Sequence, residues 1–409
     1  MVVEIFVESP NQLADSPFNI NITGLHPYQE AIVQMSSRDY YNINTSITLP
    51  PDTLWQSQAT FLTDAKGSIS LNKTPAISGS YKGINEMGLF FNLQPTSQKK
   101  RQLSKNIKDI PLFSDFHLQI QVLQKEEILA KIQFKRYYLE SNSIQQEVKF
   151  NQAFGRFFCK KNQNNIPAII VLSGSEGRIE KAQNIAQLLS NHGFACLALA
   201  YFGLDSLHQN LNKIPLEIIK EAIDFLKEKD FIASDKIGLY GRSKGAEFAL
   251  IAASLFSDID CLVLNSPTMA ILEGLNGWKN SNHSSWTYQH NELPYTAFSI
   301  TKLIKQKLFK QAYRFSQQSL IPVEKIQADI LLIASPNDEI WPAYQASLNI
   351  LKKVNQNYVS DLAIYPNSGH MLTVAYQGNH RYHQTPWERL LQDSIDSWRK
   401  TVEFFQNNL

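Results

Sequence analysis

The chain has only three cysteines among 409 residues, Cys159, Cys196 and Cys261, an odd number without metal-ligand spacing. That excludes a disulfide framework and a cysteine-built zinc site. Cys196 and Cys261 stand in apolar runs, and all three are expected as buried, inert thiols in a reducing, cytoplasmic setting. No uninterrupted apolar stretch is long enough to span a bilayer. Charge of one sign is also missing. The 39 Lys and Arg nearly balance 37 Asp and Glu, leaving +2 and no bulk field to recruit nucleic acid or a membrane. The first eight residues lack a basic segment and a long apolar core, so they are expected as a strand and not a signal peptide. The last three, Asn407, Asn408 and Leu409, are not a peroxisomal Ser-Lys-Leu type of ending. The histidines show no metal pattern; His380 and His383 lie close together and read as loop residues. No metal or cofactor is expected, and the oligomeric state is left open.

What is present is an ordinary globular composition, 43% apolar and 19% charged, over a length that suits two or three domains. Residues 1–140 read as all-β, with short alternating segments such as 18–22 and 29–35 separated by Gly, Pro, Asn and Asp turns. That pattern suggests an immunoglobulin-like sandwich. From 141 to 409 strands alternate with helical stretches. Helices are expected at 179–192, 215–227 and 387–407, and buried strands at 168–172, 194–201 and 260–265. Such alternation implies a mostly parallel, doubly wound sheet. The stretch 270–320 breaks the rhythm and is expected to cover a site. The polar run 160–165 reads as a surface turn between strands.

The densest signal is Gly241-Arg242-Ser243-Lys244-Gly245, between an apolar strand and a small-residue helix at 246–255. It is the pattern of a nucleophile elbow in an α/β-hydrolase, where a sharp turn carries a serine hydroxyl above the sheet. Its glycines stand where side chains would collide as strand and helix cross. A serine hydroxyl needs a base to become a nucleophile. The apolar run 330–334 ends in Ser335-Pro336-Asn337-Asp338, and 362–365 ends in Pro366-Asn367-Ser368-Gly369-His370. The order Ser, acid, His is that of the fold, and both loops lie just past strand ends, where open α/β sheets place their chemistry. His370 is the candidate base, and Asp338 the group that fixes its tautomer. Asp338 is preferred over adjacent Glu339, which reads as a solvent-facing neighbour. The oxyanion hole is expected from two backbone N–H groups, that of Lys244 and that of Ser175 in the loop after strand 168–172. That loop has neither a second elbow's spacing nor a phosphate-binding loop's.

Several motifs resemble one family, the acyl-CoA thioesterases and bile acid-CoA:amino acid N-acyltransferases. The N-terminal match is Trp55-Gln56-Ser57-Gln58-Ala59-Thr60-Phe61, Gly67, Gly79-Ser80-Tyr81-Lys82-Gly83 and Met87-Gly88-Leu89. The C-terminal match includes 197–201, 241–247, Ser284-Ser285-Trp286-Thr287-Tyr288 and 365–370. The resemblance implies a β-sandwich before an α/β-hydrolase domain, the triad Ser243, Asp338 and His370, and an acyl-CoA thioester substrate. The amino acid-transferring branch is distinguished by a cysteine nucleophile, so Ser243 favours hydrolysis. Transfer of the acyl group to an amine, carboxylester or lactone hydrolysis, and non-catalytic binding remain as alternatives. The basic residues Lys302, Lys305, Lys307, Lys310 and Arg314 are either a contact for CoA phosphates or a solvated helix face. Trp278, Trp286 and Tyr288 either line an acyl pocket or pack in the core.

Overall fold

The computed structural model describes residues 2–277, 279–297, 314–370, 372, 374–379 and 386–409. They group into two compact units. The first comprises Met1–Leu103, Leu112–Glu140 and Val374–Ile395. Its strands alternate in burial; Asp115–Gln124 does so over ten residues, as a strand must when one face meets a core and the other meets water. Glu4–Glu8, Asn19–Thr23 and Ile69–Ser70 form one sheet. In the other, Ala76–Gly79, Trp55–Leu62, Glu30–Ser37, Asp115–Gln124 and Glu127–Tyr137 are neighbours in that order. The strand pairs in both are antiparallel, giving the all-β sandwich expected from the turn spacing. Its core is aromatic. Phe18 meets Phe134 edge-on at 5.4 Å, and Tyr40 meets Trp55 at 5.1 Å. Arg136 is wholly buried there. It donates to the carbonyls of Ser9, Leu13 and Ser16 and lies 4.9 Å from the Phe18 ring centre. Burial lowers its pKa to about 10, against the pull of Asp15 and Tyr376.

The second unit comprises Ser104–Pro111, Ser141–Thr373 and Asp396–Leu409. Its sheet is built from β1 (Ser143–Lys149), β2 (Phe154–Lys160), β3 (Ile166–Leu172), β4 (Ala195–Ala200), β5 (Ile232–Arg242), β6 (Cys261–Asn265), β7 (Asp329–Ala334) and β8 (Ser360–Ile364). The spatial order is β1-β2-β4-β3-β5-β6-β7-β8. β2 runs antiparallel to both neighbours, and every later pair is parallel. β4 and β6 are buried at every residue, as strands covered on both faces should be. The helices are α1 (Glu180–Asn191), α2 (Glu217–Lys227), α3 (Lys244–Leu255), α4 (Ala343–Leu351) and, from Asp396 onward, α5 (Trp387–Asn408). This is the α/β-hydrolase architecture. The strand order reverses around β3, with β4 on one side and β5 on the other, and at such a reversal open α/β sheets leave a crevice beyond their carboxyl ends. The described part of the irregular stretch after β6 forms two small sheets. One pairs Glu273–Asn276 with Lys279–Ser284; the other sets Trp286–Tyr288 between Ile214–Pro215 and Asn291–Glu292.

All three cysteines are free and buried, and burial pushes the Cys159 thiol up to about 11 despite nearby Lys229. Among the described residues no helix is long and apolar enough to cross a membrane. Replacing Arg136 with Leu leaves the part-buried carbonyls of Ser9, Leu13 and Ser16 without this donor, at a cost of about 1–3 kcal/mol. Arg136→Leu should therefore unfold at clearly lower denaturant concentration, read by urea titration of tryptophan fluorescence.

Candidate active site

Ser243 stands between β5 and α3 with φ 57° and ψ −121°, a conformation costly for any residue bearing a Cβ. Its neighbours explain why the turn can be so tight. A Cβ on Gly241 would lie 2.5 Å from Gly245 O, and one on Gly245 would lie 2.3 Å from Ser173 O. Only glycine lets β5, α3 and the loop after β3 approach this closely. Backbone bonds then hold the strained residue. Ser243 N donates to Asn265 O at 2.9 Å, and Ser243 O accepts from Ala246 N at 2.9 Å and Glu247 N at 3.1 Å.

The loops after β7 and β8 are laced together. Tyr365 N donates to Ala334 O at 3.0 Å, Asn337 Nδ2 donates to Pro366 O at 2.6 Å, and Ser335 Oγ donates to Ser368 O. Within this lacing, buried Asp338 accepts the N–H groups of Ile340 and Trp341 on Oδ1, at 2.8 and 3.2 Å. Its Oδ2 lies 2.8 Å from His370 Nδ1, and His370 Nε2 lies 2.8 Å from Ser243 Oγ. With Nδ1 donating to the carboxylate, Nε2 is left to accept the serine proton. Glu339 is exposed, and its Oε2 accepts the His370 N–H at 3.2 Å. Trp341 stands edge-on to the imidazole at 4.8 Å and is itself held by a bond from Nε1 to Ser266 O.

Lys244 is the first residue of α3, where N–H groups have no partner within the helix. Ser175 is exposed on the loop after β3. On that loop Gly174 abuts the serine, since a Cβ there would lie 3.1 Å from Ser243 Cβ. Tyr201 supports the loop by donating its hydroxyl to Ser173 O at 2.7 Å.

The Lys244 side chain does something the motif did not suggest. It turns into the protein, where Nζ reaches Ser285 Oγ at 2.7 Å, Glu247 Oε2 at 3.0 Å and Leu272 O at 3.2 Å. Glu247 Oε1 also accepts from Trp286 Nε1 at 2.7 Å and Leu272 N at 3.0 Å. Burial lowers the Lys244 pKa and raises that of Glu247, each opposed by the attraction of the other. The signal was available in the sequence, as a Lys and a Glu three residues apart in an otherwise apolar helix. Trp286 is fully buried and stacks on Phe248 at 4.4 Å, so it belongs to the core. Tyr288 is half-buried against Phe256 at 6.1 Å. Arg314 is exposed. Trp278, Lys302, Lys305, Lys307, Lys310, His380 and His383 lie outside the described residues.

The sheet order and the serine turn define the class, an enzyme with the α/β-hydrolase fold. Residues 15–150 match the acyl-CoA thioester hydrolase/BAAT N-terminal region, and residues 214–409 match the BAAT/acyl-CoA thioester hydrolase C-terminal domain. The chain belongs to this acyl-CoA thioester hydrolase and N-acyltransferase family. It is 28% identical to acyl-coenzyme A amino acid N-acyltransferase 2 of Mus musculus, over 92% of this chain and 88% of that one. It is 26% identical to human acyl-coenzyme A thioesterase 6, over 97% and 94%. Among solved structures, a putative dienelactone hydrolase from Klebsiella pneumoniae aligns with a TM-score of 0.45 and 14% identity, over 64% of this chain and 98% of that one.

Two outcomes check this geometry. Gly245→Ala forces a Cβ against backbone that cannot yield, so it should lower the melting temperature and abolish labelling of Ser243 by a fluorophosphonate. Lys244→Met leaves Glu247 buried without its cation and should cost about 3–5 kcal/mol. Lys244→Met/Glu247→Gln removes both charges and should recover most of that loss in calorimetry.

Proposed function

We propose that this protein is an acyl-CoA thioesterase that works through an acyl-enzyme on Ser243. The observation that carries the reading is the unbroken hydrogen-bonded chain from Ser243 Oγ through His370 to Asp338. His370 Nε2 takes the hydroxyl proton as Oγ attacks the thioester carbonyl, and Asp338 stabilises the imidazolium that forms. The N–H groups of Lys244 and Ser175 hold the oxyanion. The carbon–sulfur bond breaks, and the thiolate leaves with the proton from His370. Water then gives a proton to His370, attacks the acyl carbon and releases the free acid, and the proton returns to Oγ.

The thioester as substrate class is supported by the family and by the thioesterase relative that spans nearly the whole chain. A second reading has its own support, since two relatives are acyl-coenzyme A amino acid N-acyltransferases. There the acyl-enzyme is the same and an amine replaces water. A serine at position 243 favours hydrolysis. Division of the chain at 140/141 into sandwich and catalytic domains belongs to the same reading, supported by the change of compact unit between Glu140 and Ser141; the segments 104–111 and 374–395 each group with the other unit. A cytoplasmic location fits the three free, buried thiols.

Ser243→Ala should abolish acyl-CoA turnover with little change in melting temperature. Asp338→Asn should lower kcat by about 10⁴ through the wrong imidazole tautomer. The measurement is release of free CoA thiol from a panel of acyl-CoAs, with simple esters alongside. Hydrolysis at the wild-type rate by Ser243→Ala would falsify the reading.

A further inference from the structure

One charged group beside the serine has no part in these steps. Glu176 lies on the loop after β3, with its Oε1 3.6 Å from Lys181 Nζ. Arg242, the residue before Ser243, acts on the same carboxyl. The three differ in depth. Arg242 is 2% exposed, the Lys181 side chain 8% and the Glu176 side chain 22%, so the cations lie beneath and the carboxylate is nearer the solvent. Burial pushes the Glu176 carboxyl up, but Lys181, Arg242 and the N–H groups of Glu176 and Gly174 outweigh it and hold it at about 2. It is therefore an anion at neutral pH. It is also close to the Ser243 side chain at its Cβ. A Cβ on Gly174 would lie 2.9 Å from Glu176 Oε2 and 3.1 Å from Ser243 Cβ, so carboxylate and serine flank Gly174 about 6 Å apart or less, within range of a strong charge effect.

Resting on the acyl-enzyme reading above, we propose that Glu176 determines which acceptor takes the acyl group. Its carboxylate masks the cations of Arg242 and Lys181 and turns away acceptors that carry an anionic group. The acyl chain then passes to water in preference to a zwitterion such as an amino acid or an aminosulfonate. Aminolysis itself needs nothing the site lacks. The amine nitrogen attacks the acyl carbon, its proton goes to His370, the carbon–Oγ bond breaks, and Oγ recovers the proton. What is disfavoured is the approach of a second negative charge, by about tenfold at a polarisability between that of water and a protein surface. Removing the carboxylate charge lifts that repulsion from an acceptor that carries a carboxylate or sulfonate.

The test compares wild type, Glu176→Gln and Glu176→Asp on lauroyl-CoA with either glycine or glycinamide, which carries the amine without the carboxylate. The readout is the ratio of N-lauroyl product to laurate by mass spectrometry, with fluorophosphonate labelling of Ser243 alongside. In Glu176→Gln the glycine ratio should rise about tenfold, with the glycinamide ratio little changed. Glu176→Asp keeps the charge and should stay like wild type. A flat glycine ratio in a Glu176→Gln protein that still labels overturns the proposal. So does an equal rise for both amines, and so does loss of labelling, which would make Glu176 a support for the loop. Wild type that neither labels nor hydrolyses would sink the acyl-enzyme reading itself, whereas a labelled, active wild type with an unresponsive variant sinks only the acceptor assignment.

Discussion

The arrangement depends on one close crossing, where β5 gives way to α3 with no side chain at positions 241 or 245. Gly245 stands against the carbonyls of Leu172 and Ser173 at the end of β3, and Gly241 stands against the first turn of α3. This contact brings the loop after β3 to the serine. It also forces Ser243 into a conformation that costs about 1–3 kcal/mol and persists only where the surroundings over-determine it. The bond from Ser243 N to Asn265 O at the end of β6 and the two bonds into α3 supply that constraint. The strain is thus held by the sheet and the helix together, and the hydroxyl has a fixed position before any substrate arrives.

A second constraint sets the partners of that hydroxyl. Asp338 and His370 come from different loops, and a loop histidine would ordinarily sample many positions. The bonds between the two loops remove that freedom, since Ser335, Asn337 and Glu339 on one side each bond backbone on the other. Asp338 is held by two N–H groups before it meets the imidazole. Trp341 then closes the edge of the ring. Glu339 also explains why two adjacent carboxylates occur here. One faces inward to the imidazole nitrogen, and the other faces water and caps the backbone of the same histidine.

Much of this was legible because it is local. Strand, tight turn and small-residue helix follow one another directly around Ser243, and the loops bearing Asp338 and His370 each follow an apolar run of strand length. What escaped the sequence comes from pairings distant in the chain. Nothing local says that Trp286 turns its indole N–H onto Glu247, or that its ring stacks on Phe248; as a large aromatic near a suspected site it read equally well as a pocket wall. The Lys244 side chain was hidden behind the role of its own backbone N–H. The close approach of Gly174 to Ser243 was likewise not legible, because a five-residue loop gives no register.

The two residues flanking Ser243, Arg242 and Lys244, are both cations and both buried. Bare positive charge beside an acyl-enzyme would hinder the reaction proposed here, because its product is a carboxylate that would bind where it was made. Each cation instead has a carboxylate set against it. Glu247 answers Lys244 deep under the turn, where it also fastens Leu272 and Trp286. Glu176 answers Arg242 from the loop that meets the serine. The first pairing lies wholly inside. The second ends in a carboxylate that is 22% exposed, and that difference in depth places Glu176, of the two carboxylates, to act on what enters and leaves.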